Sequence, residues 1–283
     1  MEHHCVVHHV TPEWLNDQKG DVKILDVQPN IHDYLQEHVP EAVFCNEGLF
    51  RVPKLGRPGA YVDEAVIASL FGRLGLMRDT PVAVYTAKGV FSSIGDGLGQ
   101  TMAAYTLARF GVKDVYVLDG GLDVWKEQGY ETTQAFPYVE ETRYTPVVRS
   151  DLFLTYETFV DIKDNDGVVV LDARPPHFYE GRGPWIKPGH IPGAINLPWK
   201  SLMHETNPAR RKDISWIRSL LEDRGITPDK RIICSCGTGR EATNEFVLFK
   251  WVLAYPDVQI YEGSFTEWSS HPENPTVTGP EPR

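Results

Sequence analysis

Short apolar runs rich in β-branched residues alternate with stretches of helical spacing along the chain. Residues 22–26, 81–86, 115–118, 168–172, 231–236 and 258–261 read as strands. Residues 65–76, 101–110 and 216–224 read as helices. A further helical pattern follows position 240, with Phe246, Phe249, Val252 and Leu253 in its apolar stripe. Leu70, Phe71, Leu74, Trp251 and Leu253 are expected in cores. Strands alternating with helices predict an α/β architecture built on mostly parallel sheets.

The pattern is written twice. Val22-Lys23-Ile24-Leu25-Asp26 resembles Val168-Val169-Val170-Leu171-Asp172, and Asp119-Gly120-Gly121-Leu122-Asp123-Val124-Trp125 resembles Glu262-Gly263-Ser264-Phe265-Thr266-Glu267-Trp268. Asp26 and Asp172 lie 172 − 26 = 146 positions apart, and Trp125 and Trp268 lie 268 − 125 = 143 apart, so the duplication is coherent. A period this long means two domains rather than a solenoid of short repeats. Around residues 133–151 the chain carries Pro137, Pro146 and several charges with little periodicity, which reads as a linker. The expected organisation is a first domain at 1–135, a linker at 136–151 and a second domain at 152–283. The tail from His271 holds Pro272, Pro275, Pro280 and Pro282 and is expected to be extended, either wrapped on the fold or frayed.

Charge and composition narrow the possibilities. At 283 residues with 41% apolar content, each half can bury a core. A net charge of −11 argues against nucleic-acid and anionic-membrane partners. No run is apolar enough to span a bilayer, and the N-terminus lacks a signal-peptide core. Four cysteines in a chain this long do not make a disulfide framework. These features point to a soluble protein of a reducing compartment, the cytoplasm.

The chemistry centres on Cys236. It follows the apolar run 231–235 and opens the loop Cys236-Gly237-Thr238-Gly239-Arg240-Glu241-Ala242 ahead of a helical pattern. At such a strand-to-helix junction a sulfur faces backbone N–H groups and the positive end of a helix, both of which favour thiolate. Glycines let the backbone curl round it. Thr86 holds the aligned position in the first half. Cys234 is expected in the core, and Cys45 has no evident partner. The cluster His3, His4, Cys5, His8 and His9 reads either as a metal-binding terminus or as a first strand with His3, Cys5 and Val7 on one face.

The second half resembles the tandem-domain rhodanese family, sulfurtransferases of the thiosulfate or 3-mercaptopyruvate type. The resemblance rests on Leu171-Asp172-Ala173-Arg174, Gly189-His190-Ile191-Pro192-Gly193-Ala194-Ile195-Asn196, Cys236-Gly237-Thr238-Gly239, and Tyr261-Glu262-Gly263-Ser264-Phe265-Thr266-Glu267-Trp268. It covers nearly the whole chain, more weakly in the first half, where Asp26-Val27-Gln28 lacks the arginine. It implies two rhodanese-like domains, the first inactive because Thr86 replaces the cysteine. It implies that Cys236 takes sulfane sulfur as a persulfide and passes it to cyanide or a thiol, with a protein thiol as a further acceptor. No metal or organic cofactor is implied. Asp172, Arg174 and His190 are expected as structural braces, with Arg174 bonded towards the catalytic loop and His190 bonded to a carboxylate.

Departures from the family pattern fall around the substrate. Arg240 and Glu241 replace an apolar residue and a threonine, and Glu241 is expected to pair with Arg240 or to cap the helix. The family's usual Arg-Phe pair is replaced by His177-Phe178-Tyr179-Glu180-Gly181-Arg182, so Arg182 or, failing that, His177 is the expected anion ligand. Lys88, opening the glycine-rich stretch 88–99 of the first half, is a further anion candidate. Two other functions compete. A cysteine-based phosphatase would need an arginine six positions after the cysteine, where this chain has Ala242. A non-catalytic rhodanese module binding a protein partner would not need the intact loop.

Overall fold

A computed structural model of the chain describes residues 6–54, 57–89 and 96–283. The chain forms two compact units. One gathers residues 1–51, 61–149 and 203–211, and the other gathers 52–60, 150–202 and 212–283.

In the first unit the strands are β1 (Val6–Val10), β2 (Lys23–Asp26) and β3 (Val43–Phe44), with the later pair β6 (Val82–Tyr85) and β7 (Asp114–Leu118). In chain order between β3 and β6, β4 (Arg51–Lys54) and β5 (Arg57–Tyr61) make a separate two-stranded sheet, most of it in the second unit. The main sheet runs β1-β7-β6-β2-β3, all parallel. Helices α1 (Pro12–Asp17), α2 (Ile31–Gln36), α3 (Glu64–Arg73), α4 (Leu98–Arg109) and α5 (Gly121–Glu127) provide the crossovers. Such a sheet is covered on both faces, which is why its strands read as continuous apolar runs. Ile24, Ala83, Tyr85 and Leu118 pack with Leu15, Leu122 and Trp125. Every residue of α4 is buried.

The second unit repeats this plan. Its strands are β8 (Phe153–Leu154), β9 (Val168–Asp172), β10 (Ile195–Asn196), β11 (Arg231–Ser235) and β12 (Val258–Tyr261), ordered β10-β9-β11-β12-β8. Read from its other edge, this is the order of the first sheet. The registers agree as well: Tyr85 lies opposite Asp26, and Ser235 opposite Asp172. Thr86 and Cys236 are therefore equivalent positions. Helices α6 (Tyr156–Ile162), α7 (Pro176–Tyr179), α8 (Ile214–Asp223), α9 (Ala242–Val247) and α10 (Ser264–Ser270) complete the unit. The long helix expected after position 240 is broken: α9 gives way to a π-helical turn at Leu248–Val252.

Three other expectations meet the structure. The expected linker is bonded to the first unit along its length. Thr133 and His38 exchange backbone bonds, Thr142 N donates to Gly72 O, Val147 N to Phe110 O and Arg149 N to Arg109 O, at 2.8–3.0 Å. An aperiodic segment still has to satisfy its backbone polar groups, and here neighbouring carbonyls do so. The proline-rich tail is wrapped. His190 and Val277 pair, Gly193 N donates to Pro282 O at 2.7 Å, and Lys187 Nζ donates to the carbonyls of His271, Pro272 and Asn274 at 2.6, 3.0 and 2.6 Å. At the N-terminus, His8 and His9 lie on β1, with His8 against the Tyr116 ring and burial lowering His9 to a pKa of about 4. His3, His4 and Cys5 lie outside the described residues, as do 90–95 of the glycine-rich stretch; among the described residues no group of three His, Cys, Asp or Glu is placed to hold a metal.

The segment 203–211 completes the first unit. Ala209 O accepts from Gly120 N (3.1 Å) and from Gln100 Nε2 (2.7 Å), while Asn207 Nδ2 donates to Gly120 O (2.9 Å) and Arg211 N to Asp119 Oδ1 (3.0 Å). No helix among the described residues is long and apolar enough to cross a membrane.

Candidate active site

In the second sheet the strand order reverses between β9 and β11: β10 lies beyond one, β12 and β8 beyond the other. At such a switch point the carboxyl ends of the strands diverge and leave a crevice. Cys236 follows β11 there, beside the end of β9 at Asp172.

The β12–α10 turn fixes the cysteine backbone. Cys236 N donates to Ser264 Oγ at 3.1 Å, and Phe265 N donates to Cys236 O at 3.0 Å. Gly237 O accepts from Thr266 N (3.0 Å) and Thr266 Oγ1 (2.7 Å). Ser264 has a φ of +51°, a left-handed conformation that costs a side-chain-bearing residue about 1–2 kcal/mol. The equivalent first-unit position is Gly121, at +63°. Serine is retained in the second unit because its hydroxyl receives the Cys236 amide and donates to Tyr261 O at 2.9 Å. In the sequence Ser264 and Thr266 are only members of a motif; the signal of their role is the serine standing where the other copy has glycine.

Gly239 N donates to the Cys236 sulfur at 3.1 Å, and the amides of Thr238 and Ala242 also favour its charged form. Burial and charge oppose the expected thiolate. The residue is fully buried, and burial together with the negative charge of Glu241 pushes its pKa up to about 11. One further feature is visible. Glu241 stands at the N-cap position of α9 without making a side-chain cap bond.

Asp172 and Arg174 form a buried pair: Arg174 Nε donates to Asp172 Oδ1 at 2.9 Å and its NH2 group to Oδ2 at 2.6 Å. The NH2 group also reaches Gly189 O at 3.0 Å. The brace thus ties β9 to the 189–196 turn, and the guanidinium meets the β12–α10 turn through the face of Phe265 at 4.2 Å. His190 is buried, stacked on Tyr179 at 3.6 Å, with Nδ1 at 3.0 Å from Tyr179 O. Its partner is a main-chain carbonyl rather than the expected carboxylate, and burial lowers its pKa.

Of the expected anion ligands, Arg182 and His177 are not drawn into the loop. The Arg182 side chain is 74% exposed and lies 3.4 Å from Glu180. His177 is exposed with its ring against Phe178. Lys88, in the first unit, is exposed, its backbone N bonded to Asp123 Oδ2. A further side chain that reaches the loop is Trp185, whose ring lies against Gly237 and whose Nε1 donates to Thr266 Oγ1 at 2.8 Å. It lies in an aperiodic segment, which is why the pattern of the sequence did not mark it. Glu245, in α9, is fully buried, and neither carboxyl oxygen has a hydrogen-bond partner among the described residues. Burial first, then Asp172 and Glu241, drive its pKa well up, so it is held neutral. Cys234 is buried in the core, its pKa driven well up by burial.

A family model for the rhodanese-like domain matches residues 11–128 and again 155–271. The chain belongs to the rhodanese family. A protein of Synechococcus elongatus named "Putative thiosulfate sulfurtransferase" is 36% identical to this tandem rhodanese, across 98% of this chain and 87% of its own. The sulfur carrier protein TtuD of Thermus thermophilus is 30% identical, across 96% and 97%. Among solved structures, a variant of EanB in complex with ergothioneine superposes with a TM-score of 0.84, covering 96% of this chain and 70% of that one; at 21% identity this speaks to the fold alone. Similarity of this extent supports sulfurtransferase activity.

Proposed function

We propose that the protein moves sulfane sulfur from thiosulfate or 3-mercaptopyruvate to cyanide or a thiol through a persulfide on Cys236. The observation that carries this is the fully buried Cys236 at the switch point of the second sheet, with the loop amide of Gly239 on its sulfur. The Cys236 thiolate attacks the outer sulfur of the donor. A sulfur–sulfur bond forms, the bond to the donor breaks, and its electron pair leaves with sulfite, or with pyruvate after protonation. The loop amides face the charged outer sulfur of the persulfide. A second nucleophile then takes that sulfur and restores the thiolate, giving ping-pong kinetics. With a thiol pKa of about 11, roughly one site in ten thousand is ionised at pH 7, so the first half-reaction accelerates as pH rises. Asp172, Arg174 and His190 hold the turns, and the first unit, with Thr86 at the equivalent position, carries no sulfur.

The test is intact-protein mass after incubation with each donor, for wild type and Cys236→Ser. A gain of one sulfur, reversed by cyanide and absent from the variant, supports the reading, and the faster donor identifies the substrate. No gain from either donor refutes it. The similarity to a protein named a sulfur carrier favours a protein thiol as a further acceptor, which transfer from loaded protein to a thiol-bearing partner would test. A cytoplasmic setting, reducing enough to keep the thiol free, suits this chemistry.

A further inference from the structure

Cys236 is fully buried, so a donor reaches its sulfur only when part of the surroundings moves aside. The β12–α10 turn is held too firmly for this, because Phe265 N and Thr266 N donate to the loop's own carbonyls. The segment ahead of the 189–196 turn is fastened differently. From Gly183 to Pro188 no main-chain group makes a main-chain hydrogen bond among the described residues. Pro184 and Pro188 have no amide hydrogen to offer. Half-buried and exposed residues alternate along it, and Ile186 is 83% exposed. A glycine in the left-handed region stands on either side, Gly181 at a φ of +122° and Gly189 at +93°. Main-chain bonds resume at the flanks, where Arg182 N donates to His177 O at 2.8 Å and His190 N to Val277 O at 2.9 Å.

Two side chains hold the segment down. Lys187 Nζ donates to the carbonyls of His271, Pro272 and Asn274 in the wrapped tail. Trp185 Nε1 donates to Thr266 Oγ1, and its ring lies edge-to-face with Phe178 and Phe265 at 5.5 and 5.6 Å. That ring also presses on Gly237, the residue after Cys236: a Cβ built there would lie 2.5 Å from Trp185 Cζ2. Beneath it, 4.6 Å from the ring centre, is the Arg174 guanidinium, whose Nη1 is buried with no hydrogen-bond partner among the described residues. A buried charged donor without an acceptor disfavours the arrangement that encloses it, and access of water relieves the cost.

Building on the Cys236 persulfide reading, we propose that residues 182–188 form a lid over Cys236, hinged at Gly181 and Gly189 and latched by Lys187 and Trp185. Closed, the lid keeps the sulfur out of water. Open, it lifts the ring from Gly237 and from the face of Arg174, and donor and acceptor enter in turn. Opening breaks side-chain contacts alone and unravels no helix or strand. Lys187 bonds to the tail rather than to the catalytic loop, so it sets how often the lid opens without touching the reacting atoms.

The test follows alkylation of Cys236 in the full chain by peptide mass, with iodoacetamide and with a bulky aryl maleimide. Lys187→Met is expected to raise the maleimide rate about tenfold, the weight of one charged hydrogen bond, and the iodoacetamide rate less, since a small reagent needs a smaller opening. A change in thiol acidity would move both rates alike, so their ratio isolates access. Lys187→Arg, which keeps a charged donor, is expected to return the ratio to within about twofold of wild type. Trp185→Phe keeps a ring and loses one neutral hydrogen bond, and is expected to raise the ratio about threefold. It carries the test if circular dichroism shows that Lys187→Met has not folded. A maleimide-to-iodoacetamide ratio unchanged within twofold in the folded variants would overturn the inference. Alkylation needs no sulfur transfer, which keeps the two readings apart. If wild type gains sulfur from a donor while the ratio ignores both latches, the lid alone fails. If the ratio shifts but no donor loads sulfur, the persulfide reading alone fails.

Discussion

Replacing Glu241 by glutamine tests the electrostatics of the proposed nucleophile directly. The thiol pKa of about 11 stands two units above its ordinary value of 9.0, equivalent to about 2.7 kcal/mol against the thiolate. Burial is the larger cause and Glu241 the second, while the amides of Ala242 and Thr238 pull the other way. Glutamine keeps the size of the side chain and removes its charge, leaving burial and the amides in place. The expected result is a thiol pKa lower by about half to one unit, which below the pKa raises the thiolate fraction about three- to tenfold. The assay is the pH dependence of iodoacetamide alkylation at Cys236, located by peptide mass and referenced to Cys236→Ser. Cys45 and Cys234 are buried with thiols pushed well up, so they add little background. An apparent pKa that stays put or rises would refute the assignment of Glu241 as a charge acting on the sulfur.

Further predictions concern stability. Glu245 is held neutral in the folded protein, so the unfolded chain loses its proton first as pH rises above the ordinary glutamate value, and stability falls. Glu245→Gln is therefore expected to match wild type near pH 4 and to exceed it increasingly towards pH 7, by about 1.4 kcal/mol per pH unit while only the unfolded chain ionises; urea unfolding at several pH values measures this. Asp26 behaves alike over a bounded window. Burial lifts it from 3.8 to about 6 despite the bonds from Tyr85 and Gln28, so wild-type stability should decline by about 2 kcal/mol between pH 4 and 6, and Asp26→Asn should flatten that slope. Lys187→Met should cost about 2–4 kcal/mol, since three carbonyls lose a charged donor, and should raise hydrogen exchange in residues 271–277.

Much of this architecture is visible in the order of residues because the sheets are parallel and covered on both faces, so every main-sheet strand that was read carries an apolar run. The strand at 258–261 was read to the residue, and the duplication foretold two sheets of one topology. Periodicity was silent about segments whose placement depends on single bonds. Residues 133–149 have no repeating pattern, yet carbonyls of Gly72, Phe110 and Arg109 capture them one by one. Trp185 looks like any loop aromatic until the missing Cβ of Gly237 makes room for it. The balance of influences on the Cys236 sulfur is hidden in the sequence for a related reason. Composition reveals the amides and the glycines of the loop, but burial, the largest influence on the sulfur, emerges only when the chain is folded.

The placement of residues 203–211 also bears on how the protein is made. Gly120, Gln100 and Asp119 find their partners in Ala209, Asn207 and Arg211, which leave the ribosome about 60 residues after position 149, roughly 3–12 s later at 5–20 residues per second. Over that interval Gly120, Asp119 and Gln100 of the nascent first half lack their native partners. Folding of the first unit therefore cannot be completed before most of the second half has been made, and a fragment cut at residue 150 would be an interrupted structure rather than an independent module.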